Sequence, residues 1–296
     1  MLASGASLLP VNPTLGVLLA VLLMAAAGTA ALFRLAPDSG SGRSRQIVTA
    51  GLRAGLQLAV VSALITWVIH HAAATVAFVL LMFAVAVRTA GRRITTDGTW
   101  WKTAAPIAAG VVPVVGALLL TGLVPVKGIV LIPITGILIG GALTATVLAG
   151  RRALDELELR HGEVEAGMAL GLLDQEARLE VARPAASDAL LPGLDQTRTV
   201  GLVTLPGAFV GMLLGGADPL EAGAVQLFVL IALIAIQAVA VAVTVELVTR
   251  DQLHRPARGS GGTPASTTTA TVRRDRLGAS VKAVLTRRRP RPPSPR

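Results

Sequence analysis

The chain has no cysteine, which excludes disulfides, thiol nucleophiles and thiolate metal sites. Charge is scarce too. Charged residues make up 15% of the 296 residues against 53% hydrophobic, far from the balance of a soluble domain. HExxH, P-loop and GxSxG patterns are absent, and the four histidines form no convincing ligand cluster. Without these constellations, a catalytic role within the chain is not expected.

What the chain has instead is apolar runs. Seven can be traced, at Leu15–Phe33, Ala54–Ile69, Ala72–Val87, Thr103–Leu123, Ile129–Leu148, Val200–Leu214 and Ala224–Leu247. Most approach the ~20 residues a helix needs to cross a bilayer, and two or three are shorter. Their continuity excludes the alternating pattern of a membrane barrel. The expected fold is an all-α polytopic membrane bundle of about seven transmembrane helices.

All but Lys127 of the 27 lysines and arginines lie on alternate connections or in the tail. Arg34, Arg43, Arg45 and Arg53 follow the first run, and Arg88, Arg92, Arg93 and Lys102 follow the third. Arg151, Arg152, Arg160, Arg178, Arg183 and Arg198 follow the fifth, and the rest begin at Arg250. The positive-inside rule then sets the N-terminus outside and the C-terminus inside. The net charge of +10 is explained by these loops and by anionic lipid headgroups, so no nucleic-acid partner is expected. The first run lacks a preceding positive residue and exceeds a typical signal-peptide core, so it reads as a retained helix.

Within this frame, residues 1–250 form the membrane domain, with a cytoplasmic insert at 151–199 and a basic tail at 251–296. His70 and His71 mark a tight hairpin between the second and third runs, and read better as interfacial polar groups than as a metal site. Trp100, Trp101 and Lys102 suit an interfacial anchor. Gly136/Gly140 and Gly207/Gly211 have small-xxx-small spacing, and Pro106, Pro113, Pro133 and Pro206 interrupt spans. Helix packing and moving joints both account for these residues. The insert reads as helix from Arg151 to about Arg183, with Leu154, Leu157, Val164, Met168 and Leu172 as an apolar stripe, broken at Pro184 and Pro192–Gly193. Its charge keeps it out of lipid, either solvated or docked on a soluble partner. The Pro-, Ser-, Thr- and Arg-rich tail suits either lipid contact or plain solvation.

No run carries a central Asp, Glu, Lys or Arg; Glu246 lies near the end of the last one. That counts against an ion-coupled carboxylate mechanism. An ion-gradient-driven secondary transporter or channel nevertheless stays open as the alternative to an ATP-driven machine, as does a non-transporting scaffold. Gln57, Thr135, Thr204 and Gln226 are the candidate pathway residues, with polar pairing between helices as the other reading. No metal ligand set is identified.

Within the insert, Glu165–Ala166–Gly167 is followed by Gly171 and then Val181–Ala182–Arg183–Pro184. This resembles the EAA loop of ABC importer permeases, with Gly167 and Arg183 departing from it. A broader resemblance runs from about Arg53 to Asp251. Its elements are Arg53 with Gln57–Leu58; Pro133, Gly136 and Gly140; and Gly201 through Leu205–Pro206–Gly207 to Gly211, Gly215–Gly216, Pro219, Ala222 and Gln226. By these motifs the chain resembles the FetB-like ABC permease family, which includes iron-export permeases and plant aluminium-sensitive membrane proteins. Ile137, Gly141, Ala208 and Val225 stand where that family usually has Met, Asn, Met and Tyr.

The resemblance implies a permease subunit in the plasma (inner) membrane of a bacterium, exporting iron-like metal ions or another small substrate. It implies a partner ATPase (FetA-like) that docks on Glu165, Ala166, Gly167, Gly171 and Pro184, and a second copy of the chain. It also implies that ATP and Mg reside on the partner, with no cofactor in this chain. Pro133, Gly136, Gly140, Leu205, Pro206, Gly207, Gly211, Gly215 and Gly216 would form the packing and gating motif.

Overall fold

In lipid every backbone polar group must find its partner inside the protein, so apolar runs of this length close into helices. The computed structural model describes residues 12–33, 42–122 and 128–255. Arg34, Lys127, the first eleven residues and the basic tail beyond Arg255 lie outside them. The helices are α1 (Pro13–Leu32), α2 (Arg43–His70), α3 (Ala72–Ile94), α4 (Ala104–Leu120), α5 (Gly128–Leu159), α6 (His161–Ala169), α7 (Asp174–Ser187), α8 (Leu191–Thr199), α9 (Gly207–Leu214) and α10 (Pro219–Thr249). Short 3-10 turns at Gly98–Thr103 and Asp188–Leu190 lead into α4 and α8. Among the described residues there is no strand, only an isolated bridge between Val200 and Thr204.

Among the described residues six helices are long and apolar enough to cross a membrane: α1, α2, α3, Gly98–Leu120, α5 and α10. The chain is therefore an all-helical, multi-pass membrane protein, with six full-length spans among the described residues where seven apolar runs were expected to cross. The sixth run, Val200–Leu214, forms only the eight-residue α9, about 12 Å long. Gly201 at φ +81° turns the chain, and Pro206 is the N-cap from which α9 starts. Residues 200–206 are consequently non-helical.

The core is built by α3, α4, α5 and α10. Ile107, Leu138, Ala142, Leu233 and Ile236 are buried where these helices meet. Lipid tails are as apolar as leucine, so close contact rather than water exclusion holds such helices together. Glycine permits that contact: a Cβ on Gly110 would lie 2.8 Å from the Ile236 carbonyl oxygen, and one on Gly141 2.5 Å from Leu233 Cδ2. By contrast, Gly140, Gly207 and Gly211 have open space around them in the single chain. α1 packs on α2, and most of both helices' residues are exposed.

At one end the C-termini of α3, α5 and α10 gather. Leu253 is fully buried in a cluster with Ile94, Ala149, Ala153 and Val248. Arg255 Nε donates to the Ile94 carbonyl at 3.2 Å, and its guanidinium pairs with Asp155. His254 Nε2 lies 3.1 Å from Asp97 Oδ2. The first five residues expected in the tail, 251–255, thus belong to the packed body. Asp97 in turn accepts from the Thr99 amide at 2.8 Å and caps the 3-10 turn. Burial pushes its carboxyl up, but hydrogen bonds from Thr99 and Thr95 and the charge of His254 outweigh this and hold it below the usual carboxylate range.

The insert is helical, as read from sequence, but its proline does not end the helix. α7 runs through Pro184 to Ser187, held by Ala182 and Ala186, which are fully buried against α5 and α10. Pro192 stands at the first turn of α8, where its missing N–H costs nothing. From Asp174 to Thr199 the chain has no non-helical residue.

Replacing Gly110 with Val should force α4 away from α10 and destabilise the fold by about 1–3 kcal/mol, read as a lower thermal midpoint of the detergent-solubilised protein. Gly140→Ala, with nothing within 4 Å of its Cβ position, should leave the midpoint unchanged.

Candidate functional site

The sixth crossing is broken, and its two halves lie along one side of α10. A Cβ on Gly193 of α8 would collide with Gln237 Oε1. Seven residues on, Val200 and Gly201 line a cavity of about 170 Å³ with Leu205, Pro206, Phe209, Gly223, Gln226, Leu227 and Leu230. So α8 runs antiparallel to α10, from the level of Gln237 to that of Leu230.

That places α8 at a definite depth. Glu221 and Glu246 bracket the apolar part of α10, and the midpoint falls near Leu233 and Ile234. At 1.5 Å per residue, Gln237 and Leu230 lie about 5 Å to either side of it. Asp195, Gln196 and Arg198 are exposed residues of α8 and therefore sit beside the middle of a membrane-spanning helix. Arg198 Nη1 is 3.3 Å from Asp195 Oδ1, with side chains 67% and 66% exposed. A charged residue at mid-membrane costs about 2.5–3.5 kcal/mol by insertion scales, so such groups face protein or water rather than lipid.

Two buried amides flank this segment. Gln226 Oε1 and Gln237 Oε1 have no hydrogen-bond partner among the described residues. Gln226 is the polar group of an otherwise apolar cavity. An unpaired buried amide oxygen offers an acceptor to a donor or a cation, at the point where the helix is interrupted. Neighbouring backbone groups are satisfied locally: the Gly201 amide donates to the Thr204 carbonyl at 2.9 Å, and the Val203 amide to that of Thr199 at 2.9 Å.

The motif from Gly201 to Gln226 now has a physical account. Gly201 and Gly216 occupy left-handed conformations, φ +81° and +87°, which favour glycine. Pro206 is the N-cap of α9 and Gly215 its C-cap. Asp218 accepts from the Leu220 amide at 2.9 Å, with Pro219 opening α10. Ala222 is fully buried.

The candidate pathway residues do not converge. Gln226 lines the cavity, and Thr204 lies exposed in the break beside it. Thr135 is buried, and its hydroxyl donates to the Leu131 carbonyl of its own helix at 2.7 Å. Gln57 is exposed on α2, away from the break. Pro133 is inside α5, and Gly136 lies against Met82. His71 stacks on Trp67 at 4.8 Å at the α2–α3 turn, and no group of three potential metal ligands occurs among the described residues.

The insert forms a helical hairpin beyond the membrane part of α5. With 32 residues, α5 is about 48 Å long and overshoots the ~30 Å hydrocarbon core. α6 carries Glu165, Ala166 and Gly167, and a Cβ on Gly167 would lie 3.1 Å from Ala177 Cβ of α7. Gly171, at φ +101°, makes the turn. Val164, Ala177 and Val181 close the hairpin with Leu157. Leu170 and Leu173 at the α6–α7 turn are 88% and 69% exposed, and Leu159 at the α5–α6 junction is 81% exposed. Arg160 pairs with Glu163 and Glu156, whose hydrogen bonds raise its pKa; in return, the Arg160 hydrogen bond lowers that of Glu163. Gln175 of α7 donates to Glu246 of α10 at 3.0 Å.

Asp195, Arg198 and Gln237 were not singled out from the sequence. The signal available was Pro192, a helix-starting residue directly before a charged stretch that leads into an apolar run.

Residues 14–253 match the model of the family described as uncharacterised protein family UPF0014. The chain is 30% identical over 202 residues to UPF0014 membrane protein YjkA of Bacillus subtilis, covering 67% of this chain and 80% of YjkA. It is 36% identical to Protein ALUMINUM SENSITIVE 3 of Arabidopsis thaliana, over 51% of this chain and 56% of that protein. With the probable iron export permease protein FetB of Escherichia coli it shares 31% identity, over 42% of this chain and 47% of FetB. No solved structure matches the chain.

Gly193→Ala should displace the Gln237 side chain and lower the thermal midpoint. In a Gln237→Ala background the same substitution should cost little, because the colliding amide is gone. A thermal double-mutant cycle reads the coupling.

Proposed function

The chain belongs to the UPF0014 family of membrane proteins, and we propose that it is the permease subunit of an ABC transporter. ATP is hydrolysed on a separate, FetA-like ATPase, and two copies of the chain form the membrane assembly. Its substrate is an iron-like metal ion or another small solute, moved outward. The FetB relative motivates the substrate class and direction, and the positive-inside rule puts the hairpin in the cytoplasm.

The observation that carries this reading is the α6–α7 hairpin and its connection. Exposed Leu170 and Leu173 at its tip, with Leu159 at the α5–α6 junction, suit docking on a soluble protein. From the hairpin an unbroken helical path runs through α7 and α8 into the break at residues 200–206. A push on the tip is therefore delivered to the interrupted crossing and to α10. Such a machine needs two states with different contacts, and α8, the break and α9 are the elements that change.

One observation favours the ion-gradient-driven alternative. The helix α8 brings Asp195 to the middle of the membrane, supplying the carboxylate that the apolar runs lack. The partner decides between the readings. Tagged protein solubilised gently from native membranes should retain one ABC ATPase. Gly171→Val, which strains a left-handed turn, and Leu170→Asp at the tip should each reduce that recovery severalfold without changing yield or monodispersity. Transport that persists without any ATPase would refute the permease reading.

A further inference from the structure

Asp195 and Arg198 leave a question that a single chain does not answer. Both are largely exposed, both lie beside the middle of α10, and lipid is a poor environment for either. α8 packs on α10 and on the turn before it, and its charged face points away from them. Their mutual contact of 3.3 Å engages one of the five N–H donors that a guanidinium carries. Something other than lipid must cover this face.

We propose that the α8 face bearing Asp195 and Arg198 is the seam at which two copies of this chain meet in the membrane. The inference rests on the dimeric permease reading and specifies its contact surface. Two copies inserted the same way are related by a two-fold axis along the membrane normal, so equal depths face each other. Asp195 and Arg198 lie one turn apart and about 60° apart around the helix, on either side of the face. The two-fold axis exchanges those sides. Asp195 of one protomer then faces Arg198 of its partner, and the four groups close a neutral ring of alternating charge. The same operation would oppose like charges if both residues lay on the line facing the axis. Continuing into the break, exposed Leu202, Val203 and Leu205 supply the apolar border of the seam.

The test exploits the crossed pairing. A chain with Asp195→Arg and one with Arg198→Asp, carrying different tags, are co-expressed. Each variant meets only like charge in its own homodimer and opposite charge in the mixed dimer. Mixed dimers should be recovered about tenfold or more over either homodimer. Homodimers of both variants as abundant as the mixed species would overturn the proposal. Because the chain lacks cysteine, Leu191→Cys, an exposed position one turn before Asp195 and between the two charges around the helix, provides a second measurement that keeps both charges. Oxidation should yield a cross-linked dimer. A dimer that cross-links through Leu56→Cys on α2 and not through Leu191→Cys would refute the seam while leaving the dimeric permease intact. An unchanged chain that is monomeric in native membranes would fail the dimeric reading itself.

Discussion

The packing of the broken crossing against α10 is the constraint on which the rest of the structure depends. A helix satisfies its own backbone in lipid, but a break does not. Residues 200–206 can lie at membrane depth because local turns pair some of their amides and α10 covers one side. α10 therefore has three duties. It packs on α4 and α5 through Gly110, Gly141, Leu233 and Ile236, it backs the break through Gln226 and Leu230, and its end holds the strap of Leu253 and Arg255.

Connectivity gives this arrangement a mechanical meaning. The α6–α7 hairpin and the broken crossing are not separate modules joined by a loop. They are consecutive parts of one helical path, α7 to α8, held to α10 at Glu246 through Gln175 and at Gln237 through Gly193. A rigid element anchored at two levels transmits displacement, whereas a flexible linker would absorb it. The open cavity beside Pro206 and the unpaired amide of Gln226 lie where such a displacement would arrive.

Much of the fold was legible from sequence, because apolar run length is a one-dimensional signal of a lateral environment. Among the described residues, six of the seven expected runs became full spans. The exception, Val200–Leu214, was apolar enough but not helical throughout, since Gly201 and Pro206 impose turns that a hydrophobicity count does not register. The charged insert was read as wholly outside lipid for the same reason. Charge marks Asp195 and Arg198 as hydrophilic, but their depth depends on contact with Gln237, more than thirty residues later in sequence. Gln226 was singled out because it belongs to a motif. Gln237, in a plain apolar helix, needed the close approach of Gly193 to identify it. Thr135 and Gln57, polar residues in apolar surroundings, turned out to be bonded within α5 and exposed on an outer helix.

The depth of α8 in the bilayer decides whether the sixth crossing is built as described. A nitroxide on Thr199→Cys, the single cysteine of the labelled chain, reports its depth in a bilayer through its relative collisions with dissolved oxygen and a water-soluble paramagnetic reagent. The account predicts a label near the bilayer centre, level with labels in the middle of α10. A label at the headgroup level on the basic side would contradict it, returning α8 to the aqueous insert and leaving the sixth crossing without its first half.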